Sequence, residues 1–179
     1  MTKMMSRRQA GALALFGAVA GGGAAQAQMR APMAHGAALT AGDLRYVADT
    51  MRVGGVALRS SQLARGRAAA PTVREFAEME AREQTTIAQI LAEVSGMRGP
   101  PPPDPRMAAL EAELARARGP IFDRLYVQGQ IEGHSQLLRI QEDYIRGGRN
   151  PHARHIAMLS RGQILDHLTL LRSGLLLRG

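Results

Sequence analysis

The sequence has no cysteine and no tryptophan, and only three Phe and three Tyr among its 179 residues. Without thiols it can form no disulfide, no lipid-modified cysteine anchor and no cysteine nucleophile, so stability has to come from packing. Lysine occurs once, at Lys3, and arginine supplies every later fixed positive charge. The longest apolar run near the start covers 11 residues (10–20), well short of the roughly 20 needed to cross a bilayer. No segment alternates with the period of a strand. A basic run interleaved with aromatics is also missing, which argues against a nucleic acid partner. Ser95, Ser135 and Ser160 lack a local motif that would set a base beside them, so nothing points to nucleophilic catalysis and the sequence leans away from an enzyme.

What is present begins with the pattern of an export signal. Lys3, Arg7 and Arg8 form a basic start, an apolar run follows, and Ala25-Gln26-Ala27 provides a small-residue cleavage site before Gln28. Ser6-Arg7-Arg8 suggests the twin-arginine route, with the general secretory route as the alternative. Either one ends in the periplasm or outside the cell. Removing residues 1–27 takes three positive charges away and lowers the formal charge from +8 to +5. The remaining length suits one domain with a single core. The expected organisation is a signal peptide over 1–27, a flexible arm over 28–40 that contains His35, and one helical domain over 41–177 with no transmembrane segment. The arginine excess reads as compositional bias rather than as an anion-binding surface.

Periodicity predicts four long amphipathic helices. Thr40 and Asp43 have capping-box spacing, and Leu44, Val47, Met51, Gly55 and Leu58 step by three or four along a first helix near 41–65. Its Gly54-Gly55 pair costs up to about 1 kcal/mol per residue relative to Ala, so close packing or room for a ligand has to compensate. Pro71 opens a second helix, with Val73, Phe76, Ala77, Glu80, Gln84, Ile87, Leu91 and Val94 inward, and Gly96 stops it. The four prolines at 100–103 make a stiff extended connector. A short helix at 105–118 follows, presenting Met107, Leu110 and Leu114.

The third long helix runs from Pro120 to about Arg146 with Val127, Ile131, His134, Leu138, Gln141 and Ile145 on one stripe. Asn150-Pro151 is a strong start signal for the fourth, predicted to reach Leu177 with Ala157, Ser160, Ile164, His167, Leu168, Leu171 and Leu175 inward. The expectation is an all-α fold: an antiparallel four-helix bundle with a short extra helix between helices two and three. Each fully buried Leu, Ile or Phe in such a core contributes roughly 1.5–3 kcal/mol.

His134 and His167 each fall on an apolar stripe, where a polar ring needs a partner. If the bundle runs up-down-up-down, the turns near 68 and 148 lie at one end, and Glu83, His134 and His167 fall within one layer flanked by Glu80 and Gln84. Three readings follow, one of them that these groups share no contact. The favoured one is a buried hydrogen-bond network. The last is a single transition metal held by His134, His167 and Glu83, since two imidazoles and a carboxylate suit such an ion. A di-iron centre is disfavoured, because Ile131 and Ile164 stand three residues before the histidines where that centre needs Glu. His152 and His155 have i, i+3 spacing, but two ligands at a helix start make a weak site.

Val73-Arg74-Glu75-Phe76-Ala77, Phe122-Asp123-Arg124-Leu125-Tyr126 with His134, and Asp166-His167-Leu168 together resemble an exported bacterial family, domain of unknown function 4142. That resemblance covers about 41–175. It implies a ferritin-like helical bundle and a location outside the cytoplasm, with a non-catalytic role, linked to envelope stress, or a metal-binding or oxidoreductase role at a reduced site. Asp123 and Tyr126 match the family and join the polar layer on that ground. The family's acidic-His pair on the second helix is Glu83-Gln84 here, its first-helix Glu is Ala57, and the acidic residue before the third-helix His is Gly133. Homo-oligomerisation is left open.

Overall fold

The computed structural model describes residues 38–178. The expected signal peptide and most of the expected arm, including His35, lie outside the described residues. Among these residues the chain is all-helical and has no strand, with α1 (Ala41–Arg67), α2 (Pro71–Ser95), α3 (Pro105–Arg116), α4 (Gly119–Gly147) and α5 (Pro151–Arg172), then a 3₁₀ turn at Leu175–Leu177. No helix among them is long and apolar enough to cross a membrane.

Local chemistry sets the helix ends. Thr40 Oγ1 accepts from the Asp43 backbone N–H while Asp43 Oδ2 accepts from the Thr40 backbone N–H at 2.8 Å, which completes the capping box that starts α1. Asp104 and Asn150 cap α3 and α5, each followed by proline at the first helical position. Gly96, at φ 73°, ends α2 in the left-handed region. The last long helix stops at Arg172, five residues before the expected end at Leu177. Gly174 adopts φ 73° and turns the chain back, so that Leu176 enters the core beside Ala70, Val73 and Phe76 while Leu175 is 55% exposed. Leu44 also departs from its predicted inward place, at 41% exposure. The buried face of α1 includes Val47, Met51 and Gly55 as predicted and widens to Asp43, Tyr46, Thr50, Val53, Gly54, Ala57, Ser61 and Ala64.

The packing of the long helices differs from the up-down-up-down order. Three links fix one end of the molecule. Asp123, at the start of α4, accepts from the backbone N–H groups of Ala69 and Ala70 at 3.0 and 2.8 Å, which pins the α1–α2 turn. Thr72 donates to the Leu176 carbonyl at 2.8 Å. Ser61, near the end of α1, meets the Tyr126 hydroxyl at 2.9 Å. At the other end Tyr144 donates to Asp43, so the α4–α5 turn stands beside the start of α1 and opposite the α1–α2 turn. The connector with α3 therefore carries the chain back along the molecule, and α2 and α4 run in the same direction.

Candidate metal centre

This corrected register decides which residues share a level. Glu80 stands 11 residues past Ala69, His134 11 residues past Asp123, and His167 9 residues before Leu176, all counted from the same end. At 1.5 Å per residue they differ by roughly 3 Å in height. Glu80, His134 and His167 are indeed clustered, at 0%, 0% and 6% exposure.

The trio is a triangle of ligand atoms. Glu80 Oε2 lies 3.3 Å from His134 Nε2 and 3.0 Å from His167 Nδ1, and the two ring nitrogens are 3.0 Å apart. Each imidazole is held through its other nitrogen. His134 Nδ1 donates to the Gln130 carbonyl at 2.8 Å, one helical turn back. His167 Nε2 lies 3.1 Å from Glu83 Oε2. With its proton on Nε2, His167 joins His134 in turning a lone pair toward the triangle; with its proton on Nδ1, it donates within the triangle. In the first case Glu80 Oε2 is a buried acceptor with no hydrogen-bond donor.

Three facing acceptors repel one another unless a cation lies among them. A proton is one such cation. Burial raises the Glu80 carboxyl, but its interactions with the two imidazoles outweigh that effect and bring it down to about 2. Burial lowers His167, and Glu80, Glu83 and Asp166 outweigh that effect to leave it raised. A metal ion is the other. Ligands bound at about 2.1 Å in tetrahedral or octahedral geometry stand roughly 3.0–3.4 Å apart, the spacing of this triangle. The flanking bonds from imidazole N–H to a backbone carbonyl and to a carboxylate are also the pattern that orients metal-binding histidines.

The walls are firm. The Phe76 ring meets the His167 ring edge-on at 5.3 Å. Gln84 Nε2 donates to Glu80 Oε1 at 3.0 Å, and a Cβ on Gly54 would come within 2.5 Å of the Gln84 carbonyl oxygen. Gly54 thus leaves space for an amide that holds the carboxylate, while Gly55 lies against Pro100 of the connector. Beside the trio the free space is about 10 Å³, bordered by Thr50, Gln84, Gln141 and Ser160. That is room for about one water molecule and no larger substrate.

Glu83 stands behind His167 rather than within the triangle. Asp123 holds the α1–α2 turn and Tyr126 bonds Ser61, so both lie toward that turn and outside the trio. His152 and His155 are exposed. The sequence reading placed Glu80 beside the layer but gave it no ligand role. The signal that could have singled it out was Asp123, whose place at the start of α4 fixes the register.

A model of the family described as domain of unknown function (DUF4142) matches residues 28–173. Among solved structures, the chain is similar to a Streptomyces coelicolor protein described as a secreted DUF305 protein. The TM-score is 0.63 at 16% identity, with 73% of this chain and 89% of that chain covered. No curated protein matches the sequence.

Proposed function

Since the chain belongs to the DUF4142 family, whose activity is unknown, its role has to be read from the site, and we propose that it is an exported metal-holding protein. In this reading a ferritin-like four-helix bundle carries one transition-metal ion on Glu80, His134 and His167. The observation that supports it is the triangle of three buried acceptor atoms, 3.0–3.3 Å apart, whose histidines are already oriented from behind. Two imidazoles and one carboxylate suit iron, manganese or zinc. Glu83 serves as the outer partner of His167.

Holding rather than turnover follows from the burial of all three ligands and from the small space beside them. Export is supported by the pattern at Lys3, Arg7, Arg8 and Ala25-Gln26-Ala27 and by the secreted description of the similar Streptomyces protein. Without metal, a proton takes the ion's place and closes the hydrogen-bond network, so metal uptake releases protons. Cobalt(II) titration of chelator-treated protein tests the assignment. One equivalent should produce visible d–d absorption that disappears in Glu80→Ala. A wild type with no cobalt spectrum at saturation contradicts the proposal.

A further inference from the structure

The Glu80 trio is walled in on most sides and thinly covered on one. Glu80 and His134 are fully buried, Phe76 meets the His167 ring edge-on, and Gln84 holds the other oxygen of Glu80. The long helices form a ring in the order α1, α2, α5, α4, and the α2–α5 pair is packed more loosely than the other three neighbouring pairs. The small space beside the trio opens along that seam. Of the residues bordering it, Glu83 and Ile87 of α2 are half-buried and Gln163 of α5 is exposed, while those from α1 and α4 are buried.

Glu83 stands at this mouth. Its side chain is 27% exposed, against 8% for that of His167 and 0% for that of Glu80. Its Oε2 lies 3.1 Å from His167 Nε2, the ring nitrogen outside the trio. That separation repeats the 3.0–3.3 Å spacing within the trio, so the pair offers an incoming cation two ligand atoms. Two ligands alone make a weak site, which suits a station that the ion leaves. Further in, the buried Glu80 Oε2 has no hydrogen-bond partner, and a cation satisfies it.

We propose that Glu83 is the landing ligand through which a divalent transition-metal ion reaches the trio. The ion is held first between Glu83 Oε2 and His167 Nε2 at the α2–α5 seam, and then passes inward to Glu80, His134 and His167 Nδ1. This route rests on the metal-holding reading of the trio and gives Glu83 a kinetic role beyond orienting the ring. A residue that only orients His167 sets how long the ion stays. A landing ligand sets how fast it arrives.

Stopped-flow mixing of chelator-treated protein with cobalt(II) reads arrival, and chelator-driven loss of the d–d absorption reads departure. Glu83→Gln, which keeps an oxygen beside His167 without the charge, should slow association at least about tenfold with unchanged helical circular dichroism. Gln163→Trp, a bulky side chain at the exposed edge of the seam, should slow association and release alike and leave affinity unchanged. An unchanged association rate in folded Glu83→Gln overturns the landing role, and an unchanged rate in Gln163→Trp overturns the seam as the route. In either case a wild-type cobalt spectrum keeps the metal-holding reading standing, whereas its absence overturns both. A folded Glu83→Gln that shows no cobalt spectrum at saturation makes Glu83 a ligand of the final site and overturns its transient role.

Discussion

Two buried polar clusters lie along the same helices and are satisfied in opposite ways. Near the start of α1, Tyr144 donates to Asp43 at 2.5 Å, Tyr46 donates to Gln141 Oε1 at 2.7 Å, and Gln141 Nε2 donates to Thr50 at 3.3 Å. The Tyr46 and Tyr144 rings stack at 3.9 Å. Each of these polar side chains has a hydrogen-bond partner within the protein. At the Glu80 trio one carboxylate oxygen and two ring nitrogens converge at 3.0–3.3 Å from one another, and the carboxylate oxygen has no hydrogen-bond partner. A closed network is a device for packing polar groups. An array of acceptors facing one another needs a cation to complete it.

The largest expected effect separates the clusters by metal dependence. With metal at about 1,000 times its dissociation constant, binding adds about 4 kcal/mol to stability. Chelation should therefore lower the melting temperature of the wild type by many degrees and leave the His134→Ala/His167→Ala double variant unmoved, as thermal unfolding will record. In the closed cluster, Tyr144→Phe removes the hydroxyl that satisfies Asp43. It should cost about 1–3 kcal/mol in urea unfolding with no change in metal content. Should Tyr144→Phe also release metal, the two clusters are not independent.

Glu83→Ala sharpens the assignment within the metal cluster. As the outer partner of His167, Glu83 should matter by about 10–100-fold in metal affinity without being required for binding. Complete loss in calorimetric titration would make it a ligand. The smallest effect concerns acid. Burial raises Asp43, but hydrogen bonds from Tyr144, Thr40 and Asn150 outweigh it and hold the carboxyl well below its ordinary value of 3.8. A depressed carboxyl contributes stability above its ordinary value and loses that contribution as pH falls through the folded one. Stability of metal-free protein should thus decline below about pH 4, and Asp43→Asn should flatten that decline.

The fold was legible where local chemistry decides it. Thr40 with Asp43, Asp104-Pro105, Asn150-Pro151 and Gly96 each act at the helix end that the sequence indicated. Periodicity found the inward face of α2 and, at Val47, Met51 and Gly55, part of that of α1; the rest of the α1 face escaped it because glycine, serine and threonine carry little apolar signal. Both histidines were found, and they touch. The direction of α4 was not readable from helix lengths and short turns alone. That direction rests on Asp123 reaching the α1–α2 turn and Tyr144 reaching Asp43, contacts between residues 54 and 101 positions apart. Reversing it moved Glu80 into the layer and Glu83 behind it.

Metal content is the most direct test of the Glu80 trio. Protein purified without chelators, then dialysed against zinc, iron or manganese and freed of excess, should carry one tightly held ion per chain by elemental mass spectrometry. Glu80→Ala and the double histidine variant, equally folded, should carry none. A folded wild type that retains no ion from any of the three metals would contradict the metal-holding account and leave a proton as the cation at that point.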